Sequence, residues 1–364
     1  MADWPPETML WFVGTGIGGY RGMSIEAVDI LKKCDVIYVE RFTSALRDAE
    51  IQGIKSLIGS EVLPVQRWFV EDGREIMEAA KSRQVALVTY GDPLIATTHT
   101  ELRARAARSS IKTAVLHSAS GIYSAIGEMG LHVYKFGRMV TIMAEPQSAI
   151  SVYNTIFENL LAGNHTLLLT EYRYDGTGDP FFLDPRSVFK MLLDVEADQK
   201  HCVFTPEMFA IVASRVGEGE QKIVSGKIKS LAELDFGTGP HSIAITGSMH
   251  FTEMEVMVSL SQNLDSPSDN SQGITRVGAQ MVKRYAPKAK VAVQQMREFL
   301  KGEEPSSSKG MFEVLDNAEY YISDSERFLN QGKPELAVLS IGYAEGLVDA
   351  LRFQKGVNPW LPPS

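Results

Sequence analysis

The sequence has few cysteines, no surplus of basic residues and no long hydrophobic run. Two cysteines among 364 residues, Cys34 and Cys202, are too few for a disulfide framework or a zinc cluster, so we expect a reducing cytoplasm. Acidic residues outnumber basic ones by 45 to 36, which argues against a nucleic-acid binder that neutralises phosphates. The apolar runs are strand-sized and Met1–Thr8 carries two acidic residues, so we expect neither a membrane anchor nor a signal peptide.

Strand and helix patterns alternate along most of the chain. Met9 to Val13 is a continuous apolar run that ends at Gly14, which is typical of a strand buried on both faces of a parallel sheet. Ser24 then stands as a helix N-cap before apolar residues at helical spacing. Repeated strand-helix units of this kind predict an α/β fold with right-handed crossovers.

Changes in composition predict three parts. Two α/β lobes are expected at 9–143 and 149–262, joined by a linker at Ala144–Ser148 that contains a proline. A polar stretch, Leu264–Gly273, is expected to be a solvated linker. Residues 274–364 follow as a helical extension, with one helix interrupted at Pro287, a loop over 302–310 and a terminal antiparallel hairpin.

A glycine-rich loop follows the first strand. Gly14, Gly16 and Gly19 satisfy the dinucleotide-binding pattern, and Glu40 ends the next strand, where an acid would bind the ribose. The helix begins near Ser24, however, several residues too late for its N-terminus to meet a pyrophosphate. A tight strand-to-helix loop that needs positive φ angles is the simpler interpretation.

Small and polar residues mark further strand ends. Gly91 and Asp92 follow one strand, where Asp92 can accept hydrogen bonds from a ligand, although a turn and a helix cap at Thr98 would explain the segment equally well. His117 to Ile122 marks a second strand end. His241 and His250 flank a strand in the second lobe, without a recognisable third metal ligand, so we predict no metal. These segments predict a cleft for a medium-sized polar ligand between two lobes.

Together the motifs resemble those of the diphthine synthases, two-lobed members of the tetrapyrrole methylase fold family. The match runs from about Leu10 to Leu260, and its most specific block is Gly91-Asp92-Pro93 followed by Ala96-Thr97-Thr98-His99. The other shared residues are Gly14, Gly16, Ile17, Lys33-Cys34-Asp35, Tyr38, Glu40, Thr43-Ser44, Gly130-Leu131-His132, Tyr134, Phe136-Gly137, His165-Thr166-Leu167, Arg215-Val216-Gly217, His241-Ser242, Gly247, His250, Glu253 and Glu255.

The resemblance implies a methyltransferase that uses S-adenosylmethionine. Its substrate would be the 2-(3-amino-3-carboxypropyl)histidine of translation elongation factor 2, whose amino group is trimethylated to diphthine. A cytoplasmic homodimer that binds neither nucleic acid nor membrane is expected. Residues 343–350 resemble a small archaeal helical domain of unknown function, which indicates an archaeal type.

Carried over position by position, the resemblance assigns cofactor contacts to eight residues in both lobes. They are Ile17, Asp92, Ile95, Ser120, Gly121, Leu169, Val216 and His241. Gly121 stands where the family usually has an apolar β-branched residue, so the resemblance implies that this packing contact is either lost or supplied by Ile122. Catalytic residues cannot be assigned, and the candidates to accept the amine's proton are Glu171, His99 and His250.

Two other functions stay open at this point. One is a tetrapyrrole or precorrin methylase of the same fold, although the motifs around His99 and His250 favour the diphthine branch. The other is a non-catalytic protein whose lobes dock onto the translation machinery. Binding of S-adenosylmethionine would separate this last alternative from both enzymes.

Overall fold

The computed structural model describes residues 8–43, 46–302 and 305–360, with the side chains of the last range given from residue 310 onward. Ser44 of the resemblance and nearly all of the Met1–Thr8 segment lie outside the described residues. The chain divides into two compact units, one up to Gln272 and one from Gly273 onward. The first unit holds two main sheets with helices, and helices make up the described part of the second. The predicted α/β fold with a helical C-terminal extension is confirmed.

The first sheet has five strands in the order β3-β2-β4-β1-β5, and every neighbouring pair is parallel. The elements of this lobe are β1 (Met9–Gly14), α1 (Ile25–Leu31), β2 (Val36–Glu40), α2 (Asp48–Ile58), β3 (Leu63–Val65), α3 (Arg67–Asp72), α4 (Arg74–Ala80), β4 (Gln84–Thr89), α5 (His99–Arg108), β5 (Thr113–Leu116) and α6 (Gly121–Glu128).

Burial explains the elements that the sequence predicts here. All six residues of β1 and of β4 are buried, as interior strands of a parallel sheet should be. Ser24 caps α1, because its Oγ accepts the backbone N–H of Ala27 at 3.1 Å. A 3-10 turn at Gly19–Gly22 precedes that cap. The sequence patterns did not predict α2, α3 or β3, and β3 is an edge strand of the sheet.

The second sheet is mixed, which corrects the expectation of a second set of parallel crossovers. Its order is β13-β11-β10-β12-β7-β6, and the three central pairings are antiparallel. The elements are β6 (Val140–Ile142), α7 (Pro146–Leu161), β7 (Thr166–Thr170), β8 (Tyr172–Arg173), β9 (Phe181–Phe182), α8 (Pro185–Gln199), β10 (Phe209–Ser214), β11 (Lys222–Lys227), α9 (Ile228–Leu231), β12 (His241–Ile245), α10 (Phe251–Leu260) and β13 (Gln262–Asn263).

Both expected linkers contain ordered structure. In the first, Pro146 opens α7, and β6 has already joined the second sheet beside β7. In the second, the Asn270 side chain bonds the backbone of Phe209 and the carbonyl of Thr246. Hydrogen bonds to buried strands therefore attach the polar stretch to the first unit, and it is not a free spacer.

The second unit is a bundle of three helices around one apolar core. These are α11 (Val277–Lys301), α12 (Pro305–Asn330) and α13 (Pro334–Lys355). The predicted terminal hairpin corresponds to α12 and α13. Pro287 lies inside α11 without ending it, and α12 begins within the expected loop, of which residues 303 and 304 lie outside the described part. None of the described helices is long and apolar enough to cross a membrane.

Candidate active site

Three strand ends of the first lobe converge closely. Gly16 and Gly91 exchange two backbone hydrogen bonds of 3.1 Å, which join the loop after β1 to the loop after β4. A Cβ on Gly14 would lie 2.4 Å from the Gly91 carbonyl oxygen and 2.9 Å from Ser118 in the loop after β5. The glycines thus permit a close approach of backbones, and Gly16 also takes a φ of +71°.

The dinucleotide alternative lacks both features that it needs. The helix after the glycine loop begins only at Ile25, and Glu40 is 1% exposed. The Glu40 carboxylate accepts the backbone N–H groups of Phe42 and Thr43, both at 2.9 Å. Because Glu40 serves its own turn inside the protein, it cannot bind the ribose of a ligand.

Beside this convergence lies a cavity of about 700 Å³, lined by residues of both sheets. Seven of the eight positions that the resemblance assigns to the cofactor line it: Asp92, Ile95, Ser120, Gly121, Leu169, Val216 and His241. The eighth, Ile17, packs next to them, with its Cγ2 atom 3.9 Å from where a Cβ on Gly121 would stand. Ile122 also lines the cavity, as expected beside Gly121.

Asp92 joins two of the strand ends. Its Oδ1 accepts the N–H of Leu94 at 2.9 Å, and its Oδ2 lies 2.8 Å from His117 Nδ1 and 3.2 Å from the N–H of Ser118. The side chain is 6% exposed. This carboxylate therefore fixes the loops after β4 and β5 relative to each other and faces the cavity between them.

His241 forms part of the opposite wall. Its Nδ1 lies 2.8 Å from Ser214 Oγ, and its ring meets Phe236 edge-on. Burial lowers the pKa of His241 to about 4, although Asp184 nearby opposes the shift. The imidazole is therefore neutral at pH 7 and presents a polar, uncharged surface.

The three candidate proton acceptors lie in different places. Glu171 lines the cavity, where its carboxylate accepts the N–H of Ala144 at 2.8 Å and pairs with Arg173 at 3.1 Å. His99 is buried beneath Phe42, and its burial lowers its pKa. His250 caps α10 and pairs with Thr252. Of the three, Glu171 is the one on the cavity wall.

Several residues that line the cavity lie outside the motifs of the sequence. Phe42, Arg67 and Tyr172 contribute large side chains, and Tyr172 donates its hydroxyl to the Arg41 carbonyl at 2.9 Å. Ala96 takes a φ of +56°, which is rare without glycine and occurs often at functional sites. In the sequence, Ala96 is marked only by its position in the most specific motif, the block from Gly91 to His99.

The two units match different protein families. A family model for the tetrapyrrole (corrin/porphyrin) methylases matches residues 9–232, and a family of unknown function, DUF357, matches 284–357. A diphthine synthase from Methanocaldococcus jannaschii is 34% identical over 259 residues, which cover 70% of this chain and 100% of that protein. A diphthine methyl ester synthase from Dictyostelium discoideum is 32% identical and covers 68% and 96%.

Two solved structures are also similar to this chain. A diphthine synthase crystal structure gives a TM-score of 0.63 at 27% identity, over 70% of this chain and 97% of its own. A putative diphthine synthase from Entamoeba histolytica gives 0.63 at 28%, over 70% and 98%. The chain therefore belongs to the tetrapyrrole methylase family and is a methyltransferase. Within that family its place is among the diphthine synthases, whose methylation belongs to diphthamide biosynthesis.

Proposed function

We propose that this enzyme transfers methyl groups from S-adenosylmethionine to the amino group of 2-(3-amino-3-carboxypropyl)histidine on translation elongation factor 2. Three transfers would give diphthine. The observation that carries the proposal is the cavity of about 700 Å³, since residues of both sheets line it at seven of the positions expected to hold the cofactor. The relatives named as diphthine synthases support the same substrate.

The residues present fit the cofactor. Ile95, Leu169 and Val216 offer apolar surface, and the neutral His241 and the Asp92 carboxylate offer polar groups in the same cavity. When bound, S-adenosylmethionine supplies a methyl group already activated by its sulfonium. The protein then needs to align an unprotonated amine with the sulfur-methyl bond and exclude water, effects worth up to ~7–11 kcal/mol. Each transfer breaks the sulfur-methyl bond and forms a nitrogen-methyl bond.

The first two methylations also release a proton from nitrogen. Glu171 is our candidate to receive it, directly or through water, because its carboxylate lies on the cavity wall. The side chain is held by the Ala144 N–H and by Arg173, which would keep an oxygen in one place.

Two tests address the proposal. The first incubates the protein with labelled S-adenosylmethionine and elongation factor 2 carrying the precursor. We expect label on the amine, a mass gain of three methyl groups and no loss of methyl under mild alkali. Alkali-labile methyl would instead show ester formation, as the name of the Dictyostelium relative describes. No incorporation would reject the proposal.

The second test compares ligands by thermal shift. S-adenosylhomocysteine should stabilise the fold by about 2.7 kcal/mol at a hundredfold excess over its dissociation constant, and NAD should not. Stabilisation by NAD alone would contradict the proposed cofactor. We further propose that the enzyme is a homodimer in solution, which light scattering checks.

A further inference from the structure

A positive charge on the cavity wall has no strong partner. Arg67, the first residue of α3, lines the cavity, and its side chain is 58% exposed. Its contact with Glu71, 3.5 Å between Nη1 and Oε1, is at the outer limit of a hydrogen bond. Within the described residues, the remaining N–H groups of this guanidinium have no hydrogen-bond acceptor.

Arg67 packs against Phe42, whose backbone is in turn fixed by Glu40. Its guanidinium carbon lies 5.0 Å from the centre of the Phe42 ring, which is itself 7% exposed. The Glu40 carboxylate fixes the backbone of Phe42 and Thr43 through two hydrogen bonds. The aromatic face therefore supports the guanidinium, whose donors are left for a ligand.

The two carboxylates on the cavity wall already have close side-chain partners. Asp92 is 2.8 Å from His117, and the Glu171 carboxylate is 3.1 Å from Arg173. Arg67 is thus the group in this wall that best fits an additional anion. A planar guanidinium binds a carboxylate through two parallel hydrogen bonds, which fix orientation as well as position.

We propose that Arg67 determines specificity by binding the carboxylate of the 3-amino-3-carboxypropyl group of the methyl acceptor. This rests on the proposed function. The same α-amino-carboxylate also occurs in the methionyl part of S-adenosylmethionine, so two ligands could supply it. We assign it to the acceptor because Arg67 and Phe42 come from a stretch that contains none of the eight cofactor positions, and because Arg67 is half exposed, where a protein substrate can reach it.

The test compares Arg67→Gln, Arg67→Lys and a matched control, Arg74→Gln. Arg74 is also an exposed arginine, paired with Asp72 and outside the cavity lining. For Arg67→Gln we expect KM for the elongation factor precursor to rise about tenfold or more, with the affinity for S-adenosylhomocysteine unchanged. Arg67→Lys should recover part of the loss because it keeps the charge without the fork, and Arg74→Gln should behave as the wild type.

Two results would overturn the inference. One is an unchanged KM in a folded Arg67→Gln variant. The other is a loss of affinity for S-adenosylhomocysteine with no loss for 5′-methylthioadenosine, which lacks the aminocarboxypropyl group, because Arg67 would then hold the cofactor. A wild-type enzyme that binds S-adenosylhomocysteine but does not methylate the precursor would reject the proposed function itself, whereas an unchanged KM beside an active wild type rejects the role of Arg67 alone.

Discussion

The buried carboxylate of Glu40 has few hydrogen-bond partners. Glu40 has one oxygen with two backbone donors, while Oε1 is buried without a hydrogen-bond partner. Burial raises the pKa of Glu40 to about 7, although the N–H groups of Thr43 and Phe42 oppose the shift. The side chain therefore exchanges a proton near neutral pH while it supports the wall that carries Phe42.

The raised pKa of Glu40 predicts a pH-dependent stability. Because the folded state holds this proton more tightly than the unfolded chain, the stabilisation is complete below the ordinary pKa of 4.5 and is lost as the pH rises through about 7. The loss is on the order of 3 kcal/mol. Glu40→Gln should remove this part of the slope, as measured by denaturant unfolding from pH 5 to 8. Identical slopes for the variant and the wild type would contradict the prediction.

Asp92 is predicted to support cofactor binding. Asp92→Ala removes the acceptor that His117, Leu94 and Ser118 share, so the loops after β4 and β5 lose their common anchor. We expect calorimetry to show at least about a tenfold weaker affinity for S-adenosylhomocysteine. His117→Ala, which leaves the carboxylate in place, serves as the comparison. A folded Asp92→Ala variant with unchanged affinity would disprove the assignment.

The sequence predicted Asp92 and the segment from His117 to Ile122 as parts of a site, because small and polar side chains that follow buried strands lie at one edge of a sheet. Arg67 and Phe42 were not predicted as site residues, because neither belongs to such a motif. They reach the cavity through the strand order β3-β2-β4, which places the connections after β2 and β3 beside the loop after β4. The spacing of residues along the sequence does not specify the order of the strands in the sheet.

At the scale of elements, burial was predictable and strand direction was not. β10 is fully buried, as β1 is, yet both neighbours of β10 run antiparallel to it, whereas both neighbours of β1 run parallel. Helix α10, Phe251–Leu260, begins after a capping box formed by His250 and Glu253. Apolar periodicity reports burial, whereas strand direction depends on how the connections between strands run.

The capping carboxylate of α10 also joins that helix to the second sheet. Glu253 accepts the N–H groups of His132 and His250, each at 2.8 Å, and bonds Lys135 and His165. Burial alone would raise its pKa, but the hydrogen bonds from Lys135 and from the two backbone groups outweigh burial and lower the pKa of Glu253 to about 2.

Glu253→Gln should therefore destabilise the fold. It leaves Lys135 without its ion pair in a partly buried place, which costs roughly 3 kcal/mol in the free energy of unfolding. Glu255→Gln changes an exposed carboxylate of the same helix and should cost far less. The wild-type contribution is present above pH 4.5 and is lost as the pH falls toward 2, so the two proteins should converge in acid. Equal stability of the two variants at pH 7 would contradict this.

At the scale of the whole molecule, the polar stretch that was expected to be a linker belongs, up to Gln272, to the first unit. The polar stretch 264–273 has a linker's composition, yet Leu264 bonds Ser225 and Asp265 bonds the N–H of Lys227. Polar residues that satisfy the backbone of a sheet have the same composition as residues that bond only water. The first unit therefore ends at Gln272, ten residues after the predicted end of the second lobe.

This end point decides where the chain can be shortened. We predict that residues 273–364 are dispensable for methyl transfer, because the methylase match and the cavity lie within the first unit. A chain that stops after Gln272 should fold and methylate the precursor at the full-length rate. A chain that stops after Asn263 loses Asn270, whose amide accepts the Phe209 N–H and donates to the Phe209 and Thr246 carbonyls, so its unfolding free energy should fall by about 1–3 kcal/mol. If the Gln272 chain binds S-adenosylhomocysteine but cannot methylate, the helical unit presents the substrate and the prediction is wrong.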